Sequence, residues 1–217
     1  MWKNSCKIII GLSILASSPT FAFDKNQDWD AEYKNANIFK AVKRNDEANK
    51  IFERGCKANH APSCSSLGDS HAYGIGYVKS EENAKKYYKK SCDLGDGKAC
   101  FDYIYKEDAT GHSINPANIT MPYLQKSCNF NYARGCTVMG TYYILNDEVK
   151  QDLPLAAEYF TKACSLKDSD SCELIGKLYI KGAGVEPNLP KALGYLKQAC
   201  ELGKNESCQM HEKYSKD

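Results

Sequence analysis

"CSLKDSDSC", residues 164–172, holds two cysteines around seven mostly polar residues, and the same C-x7-C unit recurs at Cys56/Cys64, Cys92/Cys100, Cys128/Cys136 and Cys200/Cys208. Each pair begins 36 residues after the one before it, and every cysteine but Cys6 belongs to the series. A fixed period of this size is the mark of a repeat protein.

The residues before each first cysteine carry a helical pattern. From Asn188 the apolar positions are Leu189, Ala192, Leu193, Leu196 and Cys200, spaced as one face of a helix. One period earlier the face reads Leu153, Ala156, Ala157, Phe160 and Cys164. Ser80, Asp152 and Asn188 share a column suited to N-caps, and Pro154 and Pro190 stand where a missing N–H is harmless. This helix, B, is expected to run about 15 residues, or ~22 Å.

A shorter helix, A, follows each second cysteine, with Leu67, Tyr103, Met139 and Ile175 as its apolar column and Gly68, Gly140 and Gly176 beside them. A mid-helix glycine costs ~1 kcal/mol against alanine, so its recurrence implies a close helix approach. Ala84, Ala156 and Ala192 are the expected facing residues. Gly74/Gly76 and Gly182/Gly184 then end helix A. The second unit is the weakest: between Phe101 and Thr120 it has Ile104 at the glycine position and lacks the G-x-G turn.

The midpoints of the cysteine pairs are His60, Asp96, Tyr132, Asp168 and Lys204, each in the turn from B to the next A. In a helical hairpin, residues equidistant from the turn face one another. The cysteines sit about one helical turn in, so their β-carbons fall within the ~3.5–4.5 Å a disulfide needs. The repeat therefore selects bridges 56–64, 92–100, 128–136, 164–172 and 200–208. Each closes a loop of about nine residues, which the chain-entropy model values at ~2.5 kcal/mol. Structural zinc sites favour C-x2–4-C and thioredoxin-like sites C-x-x-C, and neither spacing occurs here.

The 217 residues suffice for one or two domains, and 42% hydrophobic content permits a core. Residues 1–22 read as a secretory signal: Lys3 and Lys7 precede the apolar "IIIGLSILA", and "SSPTFA" ends it with small residues. Cleavage after Ala22 leaves 23–217 as a single domain with 27 basic and 27 acidic residues. That balance gives no electrostatic case for nucleic acid or anionic lipid, and no membrane insertion is expected after cleavage. Cys6 lies ahead of the apolar run and is no lipobox cysteine. Ten cysteines in an exported chain favour disulfides.

With the cysteines, the glycine column and the period in place, the chain resembles the Sel-one-like repeat family, and within it most the Helicobacter cysteine-rich proteins. The residues that carry the resemblance are "IGKLYIKGAGV" (175–185) and "KALGYLKQACELG" (191–203), and it extends over about 44–208. It implies an all-α, right-handed α/α superhelix of about five disulfide-stapled hairpins, similar to tetratricopeptide arrays. It also implies secretion or periplasmic residence, and protein or peptide binding. Some members are described as binding penicillin or slowly hydrolysing β-lactams, so a weak β-lactamase is the alternative reading. No S-x-x-K, S-D-N or K-T-G is present, and His60, His71, His112 and His211 show no ligand spacing. No catalytic residue, metal or cofactor is expected.

Superhelical repeats bind partners along a concave face lined by A helices. The columns pointing away from B are Asp69, Tyr105, Thr141 and Lys177; Ser66, Asp102, Val138 and Leu174; and Tyr73, Ala109, Leu145 and Lys181. They vary between copies, as contacts to a partner would. Asp69, Tyr73, Asp102, Tyr105, Thr141, Lys177 and Lys181 are the candidate binding residues. Residues 24–43 read as a helical lead-in and 205–217 as a partial helix A, two caps that favour a monomer.

Overall fold

The N-cap column forecast for helix B is in place: the side chains of Ser80, Asp152 and Asn188 accept from the N–H groups of Asn83, Leu155 and Lys191. The computed structural model describes residues 27–104, 117–145 and 148–216. The expected signal 1–22, Tyr105, Ala109 and His112 lie outside these residues. Eleven helices and no strand occur among the described residues. The B helices are α2 (Asn45–Lys57), α4 (Glu81–Asp93), α6 (Ala117–Asn129), α8 (Leu153–Ser165) and α10 (Leu189–Glu201). The A helices are α1 (Trp29–Ala41), α3 (Ala61–Tyr73), α5 (Gly97–Ile104), α7 (Ala133–Leu145), α9 (Ser169–Lys181) and α11 (Asn205–Tyr214). Each B helix has 13 residues, shorter than the periodicity suggests.

Each helix packs on the ones before and after it in sequence, so the molecule is an α/α solenoid. All five expected disulfides are formed. Cys56 is bonded to Cys64, Cys92 to Cys100, Cys128 to Cys136, Cys164 to Cys172 and Cys200 to Cys208, with Cα atoms 4.5 to 4.7 Å apart. Each bridge joins a B helix to the A helix of the next unit: Cys64 ties α3 to α2, and Cys100 ties α5 to α4.

The B-to-A turns are built alike. Asn59, Gly95, Asn131, Lys167 and Gly203 all have positive φ. The N–H one residue further on returns to a carbonyl of the last helical turn, as in His60 to Gly55, Asp96 to Ser91 and Asp168 to Ala163. This is the Schellman closure. In the last example the closing residue is also the next N-cap, since Asp168 accepts from the Ser171 N–H. The helices can close this tightly because the residue before each cysteine is small. Gly55, Ser91, Ser127, Ala163 and Ala199 lie on the B side, and Ser63, Ala99, Gly135, Ser171 and Ser207 on the A side, all buried.

The glycine column does mark close approach, though at Gly68 and Gly140 to a ring rather than to the expected alanine; at Gly176 the expected Ala192 is met through its carbonyl, 3.3 Å from an added Cβ, beside Leu196. A Cβ on Gly140 would lie 2.7 Å from the Phe160 ring, one on Gly176 3.1 Å from Leu196, and one on Gly68 would run into Tyr88. The large residue four before the cysteine fills the space, while Ala84, Ala156 and Ala192 are buried beside it. In the weak unit, Ile104 is buried and packs in a cluster with Leu124.

The lead-in is a full A helix: Ala36 of α1 is buried against Ala48 and Phe52 of α2. Only Val42, Lys43 and Arg44 connect the two helices, against Gly74–Ser80 in the next unit. That shorter link places α1 out of the 36-residue register. At the other end, α11 carries His211 and Glu212 where α9 has Ile175 and Gly176, so this face of α11 is polar.

Candidate peptide-binding face

The candidate residues share the A-helix face but differ in how free they are. Tyr73, at the end of α3, is 74% exposed, and Leu145 in the same column matches it. Lys181 is exposed at the end of α9. Asp69 is partly buried; its Oδ1 accepts from the Tyr88 hydroxyl at 2.7 Å and lies 3.9 Å from Lys98 Nζ. Asp102 pairs with Lys98 at 2.5 Å. Thr141 Oγ1 donates to the Thr137 carbonyl at 3.0 Å. Lys177 pairs with Glu173, which also accepts from Ser207 Oγ at 2.8 Å. Ser66 is buried and its hydroxyl donates to Tyr33, so it is no part of an open surface. Val138 and Leu174 are half-buried against core clusters. Variation in these columns therefore tracks internal partners at many positions. Spacing alone could not separate such residues from the open column of Tyr73, Leu145 and Lys181.

The cysteines stand behind this face rather than on it. Cys64, at the root of α3, and Cys100, in the middle of α5, are completely buried, as are Cys92, Cys128, Cys136 and Cys172. Their part in the site is indirect: they fix the A helices that carry Asp69, Tyr73 and Asp102.

Tyr73 and Asp102 do meet. They line a cleft of about 530 Å³ together with Ala84, Tyr88, Phe101 and Arg134, drawn from α3, α4, α5 and α7. The Arg134 guanidinium stands 5.3 Å from the Phe101 ring centre. Glu81 and Lys85 pair at 3.4 Å on α4, and both border the cleft. Burial pushes the Asp102 carboxyl up; Lys98 opposes the shift and Asp69 and Asp96 reinforce it. Burial and the bond to Asp69 push the Tyr88 hydroxyl up, which keeps it a neutral donor. Burial likewise raises Tyr132, beside Asp102 and Lys98. Paired charges flanked by aromatic faces suit recognition of a chain with both apolar and polar groups.

His71 and His60 are engaged in packing and ties. His71 stacks between Tyr77, at 4.3 Å, and Tyr87, at 5.5 Å, as the stacked pairs Tyr143–Tyr159 and Tyr179–Tyr195 do later. His60 bonds Ser63 at 2.8 Å and Asp30 at 3.1 Å, linking α3 to α1. Among the described residues no group of three His, Cys, Asp or Glu is placed to hold a metal ion, and no helix is long and apolar enough to cross a membrane.

Two features were missed from sequence although their signals are there. One is the positive-φ turn column, visible as Asn, Gly, Asn, Lys, Gly at a fixed offset from the cysteines. The other is the invariably small residue ahead of each cysteine.

A file of helix pairs bolted at successive turns, with a polar and aromatic face along one set of helices, defines a disulfide-stapled α/α solenoid. The Sel1 repeat matches residues 61–96, 133–168 and 169–204, and the chain belongs to the Sel1-repeat family. The unmatched interval 97–132 is the unit that carries Ile104. A Sel1 repeat protein from Oxalobacter formigenes superposes with a TM-score of 0.70 at 22% identity, covering 83% of this chain and 75% of that one. Helicobacter pylori cysteine rich protein B is 34% identical over 62% of this chain and 98% of its own, with a TM-score of 0.49. Cytochrome c oxidase assembly factor 7 of Danio rerio is 27% identical over 61% of this chain. The chain spans 62% of the length of that relative and 34% of its Drosophila melanogaster homolog.

Proposed function

We propose that the chain is a repeat scaffold that holds an extended protein or peptide segment along its A-helix face. The observation that carries this is the cleft between Tyr73, Phe101, Asp102 and Arg134, where an exposed tyrosine, a second ring and fixed charges converge. A cleft of this volume accommodates one or two side chains of a bound segment. Nothing in its composition recommends nucleic acid as the ligand, and the chain works as a monomer with a polar terminal helix. Secretion or periplasmic residence is the location we favour. It is supported by the signal-like N-terminus and by five bridges in one chain, a density typical of oxidising compartments. The curated relatives are assembly factors by name, which brings in a mitochondrial address as a second reading and agrees with a scaffold that handles a protein client.

Site-specific photocrosslinking in the native cell tests the proposal. A crosslinker at position 73 should capture discrete peptides of one or few proteins, and Asp102→Asn or Phe101→Ala should reduce that capture. A crosslinker at Lys197, exposed on helix α10, is the control. Equal and diverse capture from both positions would sink the reading.

A further inference from the structure

The five bridges differ in one respect. The eight bridging cysteines from Cys56 to Cys172 are 0 to 3% exposed, whereas Cys200 and Cys208 are only half-buried. The repeat explains why. Each of the first four bridges is followed by another B helix that roofs it. Leu166, capping α8, packs on Cys128–Cys136. Lys90 on α4 donates to the Cys56 carbonyl at 2.7 Å, and Gln198 on α10 to that of Cys164 at 3.2 Å. Among the described residues no helix packs over the fifth bridge as α4, α8 and α10 pack over earlier ones, and its two cysteines are left half-buried.

Besides that bridge and its packing on α10, helix α11 is tied to α9 by two polar contacts. Lys204 pairs with Asp170 at 2.5 Å, and Ser207 donates to Glu173 at 2.8 Å. Glu173 is itself the partner of Lys177 on the A-helix face.

We propose that Cys200–Cys208 is a thiol–disulfide exchange site whose substrate is a dithiol reductant. A thiolate of the dithiol attacks one sulfur of this half-buried bridge and forms a mixed disulfide, expelling the other cysteine as thiolate. The second thiol of the reductant then displaces the first cysteine and closes its own disulfide. Two electrons and two protons pass from the dithiol to the protein, which gains free thiols at positions 200 and 208. Access to the sulfur sets the rate of such attack, so the roofed bridges react only after local opening. Reduction leaves α11 held by its packing on α10, the exposed Lys204–Asp170 pair and the buried Ser207–Glu173 bond. Its departure from α9 uncovers Glu173 and Lys177, which extends the open part of the A-helix face.

Stepwise treatment of the oxidised full-length chain with dithiothreitol, without denaturant, tests this. Samples are quenched with N-ethylmaleimide and mapped by mass spectrometry. A first step of two labels, on Cys200 and Cys208, is expected at least about tenfold faster than any other pair. Amides of residues 205–214 should lose hydrogen-exchange protection in the same step while the other helices keep theirs. In the double variant Cys200→Ser/Cys208→Ser the fast step should vanish and the four slow pairs should keep their rates. Earlier labelling of an internal pair, simultaneous labelling of all five, or a fast step that survives in the double variant would overturn the proposal.

Discussion

Replacing Gly140 by alanine should weaken this protein, although the same change strengthens most helices. The added methyl would lie 2.7, 2.9 and 3.0 Å from three carbons of the Phe160 ring. Unstrained carbon contacts fall near 3.5–4.0 Å, so the ring or the helix must shift by roughly 0.5–1 Å. Phe160 has nowhere to go: it is 1% exposed and clustered with Ala156, Ala157, Cys164 and Ile175. Overpacking of this kind costs about 1–3 kcal/mol, against a gain of up to ~1 kcal/mol from helix propensity. The expected net loss is about 1–2 kcal/mol, and in a chain of this size each kilocalorie moves Tm by about 2–4 °C. Gly194 supplies the control, because a Cβ there meets nothing within 4 Å. Gly194→Ala should raise stability by about 0.5–1 kcal/mol. Gly176→Ala, whose methyl would meet Leu196 at 3.1 Å, belongs between the two. Urea and thermal unfolding followed by circular dichroism, with the disulfides kept oxidised, gives the order. Phe160→Leu in the Gly140→Ala background should recover part of the loss as a coupling energy. If Gly140→Ala stabilises as much as Gly194→Ala does, the close-approach account of the glycine column is wrong.

Other measurements probe other joints. Lys167 adopts φ +68° in a turn column otherwise filled by Asn and Gly, and left-handed backbone is costly for a side chain of this kind. Lys167→Gly should therefore stabilise by about 0.5–1 kcal/mol in the same unfolding assay; destabilisation would count against the turn assignment. Burial holds the His71 imidazole below its ordinary range, against the pull of Glu53 and a bond to the Val78 backbone. Its contribution is complete above about pH 6.5 and declines as pH falls below it, because the unfolded chain takes the proton first. His71→Tyr, the residue at positions 143 and 179, should flatten stability between pH 7.5 and 5.5; an unchanged slope would refute this. Burial pushes the Glu173 carboxyl up, but hydrogen bonds from Lys177 and Ser207 outweigh it and leave it below its ordinary range. The stability it adds is present above about pH 4.5 and lost as pH falls through its depressed folded value. Ser207→Ala should reduce the acid sensitivity of the α9–α11 junction, read by hydrogen exchange of α11 amides at pH 5 and pH 3.

The periodic part of the fold was readable because it rests on local chemistry that repeats. Cysteines one turn from a hairpin midpoint must meet, as Cys56 meets Cys64 and Cys92 meets Cys100. Asp152 or Asn188 ahead of an apolar face must cap. What escaped was set by relations across space. The facing partner of Gly68 is Tyr88, not Ala84, and only the relative rotation of α3 and α4 decides that. Helix α1 was legible as a helical lead-in but not as a full A helix, because its three-residue link breaks the register. The binding face was harder still. Asp69 and Lys177 occupy variable outward columns, yet Tyr88 and Glu173 claim them, and variation in a column does not announce the hydrogen bonds its side chains make.

At each B-to-A turn, the residue that closes one helix stands immediately before the next, with a sulfur bridge one helical turn away on either side. These knuckles leave no slack. One residue inserted at such a knuckle would swing everything beyond it by about 100° about the helix axis, whereas the longer elbows between A and B can absorb one. Tolerance for a change in length is thus confined to one margin: the cystine edge fixes the count of residues at every turn, and only the opposite edge, where A passes to B, has chain to spare.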